Sequence, residues 1–204
     1  MFSGIVQGTG EVSKVISKKG YISIEINPPK NFNKSLKKGA SISVDGVCLT
    51  SVDKGIKKLR FDVIEETISR TNIKAIKKGS VVNLERSIKA STEIGGHLMS
   101  GHIHCTGKIK KILNKNSTKD IIVEFPKKFK EYIFEKGYIG LNGCSLTLGK
   151  VNKASFYLHL IPETLVVTNL DKLKVGSLVN IEIDQNTISV VETVKNTLAA
   201  QKSR

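Results

Sequence analysis

Three histidines and a cysteine crowd one stretch of the chain: "HLMSGHIHC" brings together His97, His102, His104 and Cys105. Imidazoles and a thiol at such spacing could hold a metal ion or move protons. On a strand, His102 and His104 would share one face with Cys105 on the other, and no carboxylate or second cysteine stands nearby at ligand spacing. The cluster therefore does not read as a metal site. His97 and His104 read as hydrogen-bonded polar side chains, whereas His102 follows Gly101 directly and stands out. Two further stretches carry reactive atoms. "DGVCLT" holds Cys48 two residues before Thr50, and "NGCSLT" holds Ser145 two residues before Thr147. On a strand each pair lies on one face, a thiol or hydroxyl beside a second hydroxyl. Small residues after a glycine turn also simply pack. Glu66-Thr67 and Glu163-Thr164 read as helix-start carboxylates with hydroxyl neighbours. None of these groups specifies a reaction by itself.

What must position them is a duplicated unit. "FSGIVQGTGEV" near the start returns as "MSGHIHCTGKI", so that Gly4 meets Gly101, 97 residues on, and Ile5 meets His102. The same offset takes Gly46 to Gly143, Cys48 to Ser145, Leu49-Thr50 to Leu146-Thr147 and Glu66-Thr67 to Glu163-Thr164. It also takes Thr71-Asn72 to Thr168-Asn169 and Val82-Asn83 to Val179-Asn180. A period of this length is a duplicated domain, not a solenoid. Domains are expected over residues 1–92 and 93–186, with the linker "ASTEIGGH" between the copies and a separate segment over 187–204.

Within each copy, segments such as "YISIEI", "ASISVDG", "KLRFDVIEE" and "ASFYLHLI" alternate apolar and polar residues, the period of half-buried strands. Glycines, Asn-Pro and Asp53-Lys54-Gly55 mark turns between them. About six short antiparallel strands and one helical turn per copy suit a small closed barrel, which leaves no free sheet edge. After Asp184 the period changes. Ile188, Val191, Val194 and Leu198 recur at helical spacing, as either a lid on the adjoining barrel or an oligomerisation helix.

Composition narrows the partners. The net charge is +15, but only four of the 33 cationic residues are arginines, and aromatics make up 5% of the chain. Nucleic-acid recognition favours arginine forks and stacking rings, so the lysine excess reads as solvated surface. No apolar run approaches the ~18 residues of a membrane span. The opening residues show no basic leader or apolar stretch, and the three cysteines read as reduced thiols, so a cytoplasmic protein is expected.

The segments "MFSGIVQGTGEV", "GASISVDGVCLT", "FDVIEETISRTN", "EIGGHLMSGHI", "KGYIGLNGCSLTLG", "LIPETLVVTNL" and "VNIEID", in this order, resemble the riboflavin synthase family across residues 1–187. The resemblance implies an all-β fold of two tandem six-stranded Greek-key barrels with a C-terminal helix, assembled as a homotrimer. It implies dismutation of two 6,7-dimethyl-8-ribityllumazine molecules without a cofactor, metal, nucleic acid or membrane, and leaves association with lumazine synthase open. Carried over by motif, the first pocket would comprise Gly4, Ile5, Val6, Ser41, Cys48, Leu49, Thr50, and Asp62, Val63, Ile64, Glu65, Glu66 and Thr67. The second would comprise Gly101, His102, Ile103, Lys136, Ser145, Leu146, Thr147, and His159, Leu160, Ile161, Pro162, Glu163 and Thr164. His102, Ser145 and Cys48 are the residues expected to act in catalysis. Two other readings compete: a lumazine protein that binds without turnover, and a nucleic-acid-binding barrel.

Overall fold

The computed structural model describes residues 1–53 and 57–202. Strands β1 (Gly8–Lys18), β2 (Tyr21–Asn27), β3 (Ser41–Val44), β4 (Val47–Thr50), β5 (Leu59–Ile64) and β6 (Val81–Arg86) form one antiparallel sheet, with helix α1 (Glu65–Arg70) after β5. The second copy repeats this as β7 (Cys105–Lys115), β8 (Thr118–Glu124), β9 (Tyr138–Leu141), β10 (Cys144–Thr147), β11 (Ser155–Leu160), helix α2 (Pro162–Val167) and β12 (Leu178–Ile183). The orders β4-β3-β6-β1-β2-β5 and β10-β9-β12-β7-β8-β11 are identical. Bridges Ser51–Phe61 and Val151–Phe156 join the outer strands, closing each sheet into a Greek-key barrel. Of the expected Asp53-Lys54-Gly55 turn, Lys54 and Gly55 lie outside the described residues.

Local chemistry explains the elements. In β5, Leu59, Phe61 and Val63 face the core while Arg60, Asp62 and Ile64 face out. The hairpins β3–β4 and β9–β10 turn on Asp45-Gly46 and Asn142-Gly143, all four at positive φ. Two such residues make the tight turn whose twist matches the flanking strands. The long strands β1 and β7 each shift register once, between Val12 and Lys14 and between Ile109 and Lys111, which lets them curl around the barrel. The core of the first barrel centres on Ile24, Ile42, Phe61 and Leu84, and that of the second on Ile121, Leu141, Phe156 and Ile181.

The strands begin later than the repeated segments do. β1 starts at Gly8 and β7 at Cys105, so residues 2–7 and 99–104 are connecting chain. That chain crosses over. Phe2 and Met99 form a two-way backbone bridge, N to O at 2.8 and 3.0 Å. Beyond it, Val6 packs in the core of the second barrel, and Ile103 packs against the core of the first.

The barrels meet along a buried polar seam whose members are related by the same offset as the repeat. Asn72 N–H donates to Asn180 Oδ1 at 2.7 Å, and Asn169 N–H donates to Asn83 Oδ1 at 2.6 Å. Asn83 Nδ2 donates to the Asn142 carbonyl and Asn180 Nδ2 to the Asp45 carbonyl, both at 2.8 Å. Gly46 and Gly143 lie back to back, where a Cβ on either would come within 2.8 Å of the other's backbone nitrogen. Symmetry breaks at one position. Asp45 stands where the second copy has Asn142. Its carboxylate accepts from Asn83 N–H (2.8 Å), Asn169 Nδ2 (2.8 Å) and Asn72 Nδ2 (3.2 Å).

Burial pushes the Asp45 carboxyl up to about 6, against these three hydrogen bonds, which lower it. A folded value above the ordinary 3.8 means that stability is fully present below pH 3.8 and is lost as pH rises through about 6. The loss at neutral pH is about 3 kcal/mol at 1.36 kcal/mol per unit. Asp45→Asn should therefore flatten the dependence of stability on pH between pH 4 and 7. Urea unfolding of both proteins at pH 4.5 and 7.5 checks this; an equal pH slope in the two would refute it.

Candidate active site

The sequence-predicted residues collect on two open strips, one per barrel, but not in the expected grouping. On β4, Cys48 is half-buried and Thr50 exposed on one face, while Val47 and Leu49 point inward. The adjoining edge supplies Asp62, Ile64 and the start of α1, with Glu65 and Glu66 exposed and Thr67 half-buried. Ser41, at the start of β3, pairs with Thr50. On β10, Ser145 and Thr147 share the outer face in the same way. Beside them lie His159, exposed Ile161 and α2, with Pro162 and Glu163 exposed and Thr164 half-buried. Val63 and Leu160 are core residues and offer only backbone. Lys136 is exposed in a left-handed turn, φ 65°, and its N–H donates to the Leu148 carbonyl at 2.9 Å.

The correction concerns the two Ser-Gly loops. The grouping carried over from the resemblance puts Gly4-Ile5-Val6 with Cys48 and Gly101-His102-Ile103 with Ser145. The structure exchanges them. Ser145 N–H donates to the Gly4 carbonyl at 2.8 Å, and Cys48 N–H donates to the Gly101 carbonyl at 2.9 Å. Both glycines are left-handed (φ +74° and +80°), and a Cβ on either would stand 2.5 Å from the Cβ of Ser145 or Cys48 respectively. The crossing follows from the seam: chain leaving the Phe2–Met99 bridge is delivered to the opposite barrel. His102, exposed, therefore adjoins the Cys48 strip, and Ile5, 47% exposed, adjoins the Ser145 strip.

A second correction concerns His97, expected to be a fully bonded polar side chain. It is only 8% exposed and its ring stacks on Tyr138, centroids 5.3 Å apart. Nδ1 lies 2.7 Å from Ser145 Oγ. Nε2 is buried with no hydrogen-bond partner among the described residues. Burial holds the ring below the usual histidine range, opposed by the nearby Asp184 carboxylate. A neutral ring with Nδ1 aimed at Oγ can take the hydroxyl hydrogen and leave the oxygen's lone pairs turned to a ligand. Sequence order could have suggested this only as a histidine in the linker, because nothing in the spacing brings it to Ser145. His104 matches its expectation: Nδ1 accepts from Ile183 N–H at 3.1 Å.

The remaining polar groups divide by accessibility. Cys105 and Cys144 are buried, and burial pushes both thiols up to about 12, leaving Cys48 as the half-exposed thiol. Asp62 accepts from Ser23 Oγ at 2.6 Å, and Glu66 pairs with Arg70. His159 Nδ1 lies 2.7 Å from Asp120. Ile64 and Ile161 are 60% and 59% exposed at equivalent places on the two strips. Each strip thus offers an apolar patch beside hydroxyls, carboxylates and free backbone, suited to a flat polar heterocycle with a polyol tail.

Comparison with known proteins accords with this geometry. The lumazine binding domain family matches twice, over residues 3–87 and 100–184. Riboflavin synthase of Escherichia coli (strain K12) is 43% identical over the whole chain and 96% of its own length. The chain belongs to the riboflavin synthase family. Among solved structures, LumP complexed with riboflavin superposes with a TM-score of 0.84 at 28% identity, covering 90% of this chain and 99% of LumP. LumP complexed with 6,7-dimethyl-8-(1'-D-ribityl) lumazine gives 0.82 over the same shares and at the same identity.

The buried, one-sided bonding of His97 makes a spectroscopic prediction. Its imidazole should stay neutral on acidification past the ordinary histidine value of about 6.5. The stability it contributes is then present above that value and lost as pH falls through the lowered folded value. Side-chain NMR titration with His97→Phe as the assignment control checks this; a midpoint at or above the ordinary value would exclude the one-sided arrangement.

Proposed function

We propose that this chain is a riboflavin synthase: it binds two molecules of 6,7-dimethyl-8-ribityllumazine and transfers a four-carbon unit between them, giving riboflavin and 5-amino-6-(D-ribitylamino)uracil. The observation that carries this is the pair of equivalent strips with unequal reactive groups. A reaction between two copies of one substrate needs two similar sites, and donor and acceptor chemistry need them to differ. The named relatives and the lumazine-bound neighbour support the substrate class.

Holding both molecules in register supplies much of the rate, since orientation contributes roughly 7–11 kcal/mol in favourable cases. The protein's side chains then handle protons. The lumazine 7-methyl group loses a proton to give a delocalised anion, which needs only a positioned base of modest strength. His102 serves beside the Cys48 strip, and Ser145, oriented by His97, serves on the other. Cys48 is a nucleophile or polar contact. Thr50, Thr147 and the carboxylates of the α1 and α2 starts bond the ribityl chain.

Among the described residues nothing covers either strip. Full enclosure comes from a neighbouring subunit, with the first barrel of one chain meeting the second barrel of another in a homotrimer. The apolar stripe of α3 (Gln185–Lys202) supports this and refines the sequence reading. Ile188 and Val191 are half-buried toward their own barrel, where Glu192 and Lys195 engage Tyr132 and Glu131. Val190, Val194 and Leu198 face outward, 64%, 52% and 54% exposed. The helix is thus both lid and assembly surface.

The decisive test is incubation with 6,7-dimethyl-8-ribityllumazine. Riboflavin fluorescence should appear; lumazine binding without riboflavin would refute the enzyme reading and leave a binding protein. His102→Gln and Ser145→Ala should each lower single-turnover riboflavin formation by about 10²-fold, the usual scale for proton-transfer groups, while lumazine still binds. Deleting residues 188–204 should dissociate the assembly and lower turnover while both barrels stay folded. Sedimentation of the truncated protein checks that; an intact, active assembly would oppose it.

A further inference from the structure

Each Ser-Gly loop ends on a buried carboxylate with no assigned part in the chemistry. Glu85, 2% exposed on β6, accepts from Ser3 N–H (2.6 Å), Ser3 Oγ–H (2.8 Å) and Gly4 N–H (3.1 Å). Glu182, 4% exposed on β12, accepts from Ser100 N–H (2.6 Å), Ser100 Oγ–H (2.9 Å) and Gly101 N–H (3.1 Å). The serines pass the hold one residue further. Ser3 Oγ accepts from Ile5 N–H at 3.3 Å, and Ser100 Oγ accepts from His102 N–H at 3.2 Å. Burial raises both carboxyls above the usual range, opposed by these donors. A buried carboxylate is costly, and a leucine would fill the space without that cost. What only an acceptor-only group supplies is convergence of three donors from one loop onto a single point.

We propose that Glu85 and Glu182 are positioning residues that pin each loop across the opposite barrel, Glu182 setting His102 beside the Cys48 strip and Glu85 setting Ile5 beside the Ser145 strip. The role in catalysis rests on the riboflavin synthase reading; the pinning itself does not. In Glu182→Gln an amide N–H takes the place of the oxygen that accepts from Gly101 N–H at 3.1 Å, so the Gly101 loop loosens and its carbonyl lets go of Cys48 N–H. The Gly4 loop stays in place. Glu85→Gln does the converse. Two substitutions equivalent in the fold therefore have separate addresses.

Cys48 reports which loop has opened, because the other two cysteines are buried with thiols that resist ionisation. Iodoacetamide modification of the full-length protein, read by mass spectrometry, is the assay. Glu182→Gln should speed Cys48 modification by about tenfold, the scale of one lost hydrogen bond to a charged group, while Glu85→Gln stays within about twofold of the parent. Ser100→Ala, which removes only the hydroxyl link, should give a smaller rise and covers the case in which Glu182→Gln does not fold. Riboflavin formation should fall in the order of loop opening, Glu182→Gln below Ser100→Ala. Unchanged Cys48 reactivity in folded Glu182→Gln, or an equal rise in Glu85→Gln, would overturn the proposal. A parent protein that shows this labelling pattern yet makes no riboflavin would uphold the pins and overturn the enzyme reading instead.

Discussion

The structure depends on a seam of buried amides. Where the two barrels meet, Asp45, Asn72, Asn83, Asn142, Asn169 and Asn180 are all less than a tenth exposed, and each bonds across to the other copy or within its own turn. Buried polar groups are tolerated only when paired; here Asn72, Asn83, Asn169 and Asn180 find their partners chiefly in the opposite barrel, while Asp45 and Asn142 are held mainly within their own copy. Neither barrel could bury this surface alone. The seam therefore fixes the mutual orientation of the copies, and the back-to-back glycines at 46 and 143 let them approach closely enough for the bonds to form.

That orientation creates the sites. Because the barrels are related by an approximate two-fold axis beside the Phe2–Met99 bridge, chain leaving the bridge runs onto the neighbour, not back to its own barrel. Each strip is thus composite: strands and helix start from one copy, Ser-Gly loop from the other. Val6 and Ile103 anchor the exchange by filling apolar positions in the opposite cores. Local twinning is converted into mutual dependence, and a change in one half is felt at the other half's strip.

Duplication also sets what could diverge. Residues that hold the frame remain paired: the seam asparagines and Glu85 with Glu182. Two of the differences fall on the strips, Ile5 against His102 and Cys48 against Ser145. His97 adds a further inequality, since it comes from the linker and bonds Ser145 alone. Asp45 opposite Asn142 is a difference of another kind, within the frame, and its cost is electrostatic.

Much of this was legible in order alone. The constant offset fixed the duplication, the alternation in segments such as "LRFDVI" fixed which residues point inward, and glycines such as Gly46 and Gly143 marked turns, because these are properties of neighbouring residues along the chain. Cys48 with Thr50 and Ser145 with Thr147 shared faces as strand geometry requires. The helical stripe after Asp184 was right in kind, yet its four apolar residues serve two surfaces, a division made by where the barrel wall lies. Tertiary structure alone decided which loop meets which strip. The grouping carried over from the resemblance pairs Gly4 with Cys48; the packing of the two barrels pairs it with Ser145, a relation between bodies that no spacing encodes. The same holds for His97 and Ser145, brought together across 48 residues by a linker's path, and for the asparagines, which along the chain are merely repeated and become the seam only when the barrels close on them.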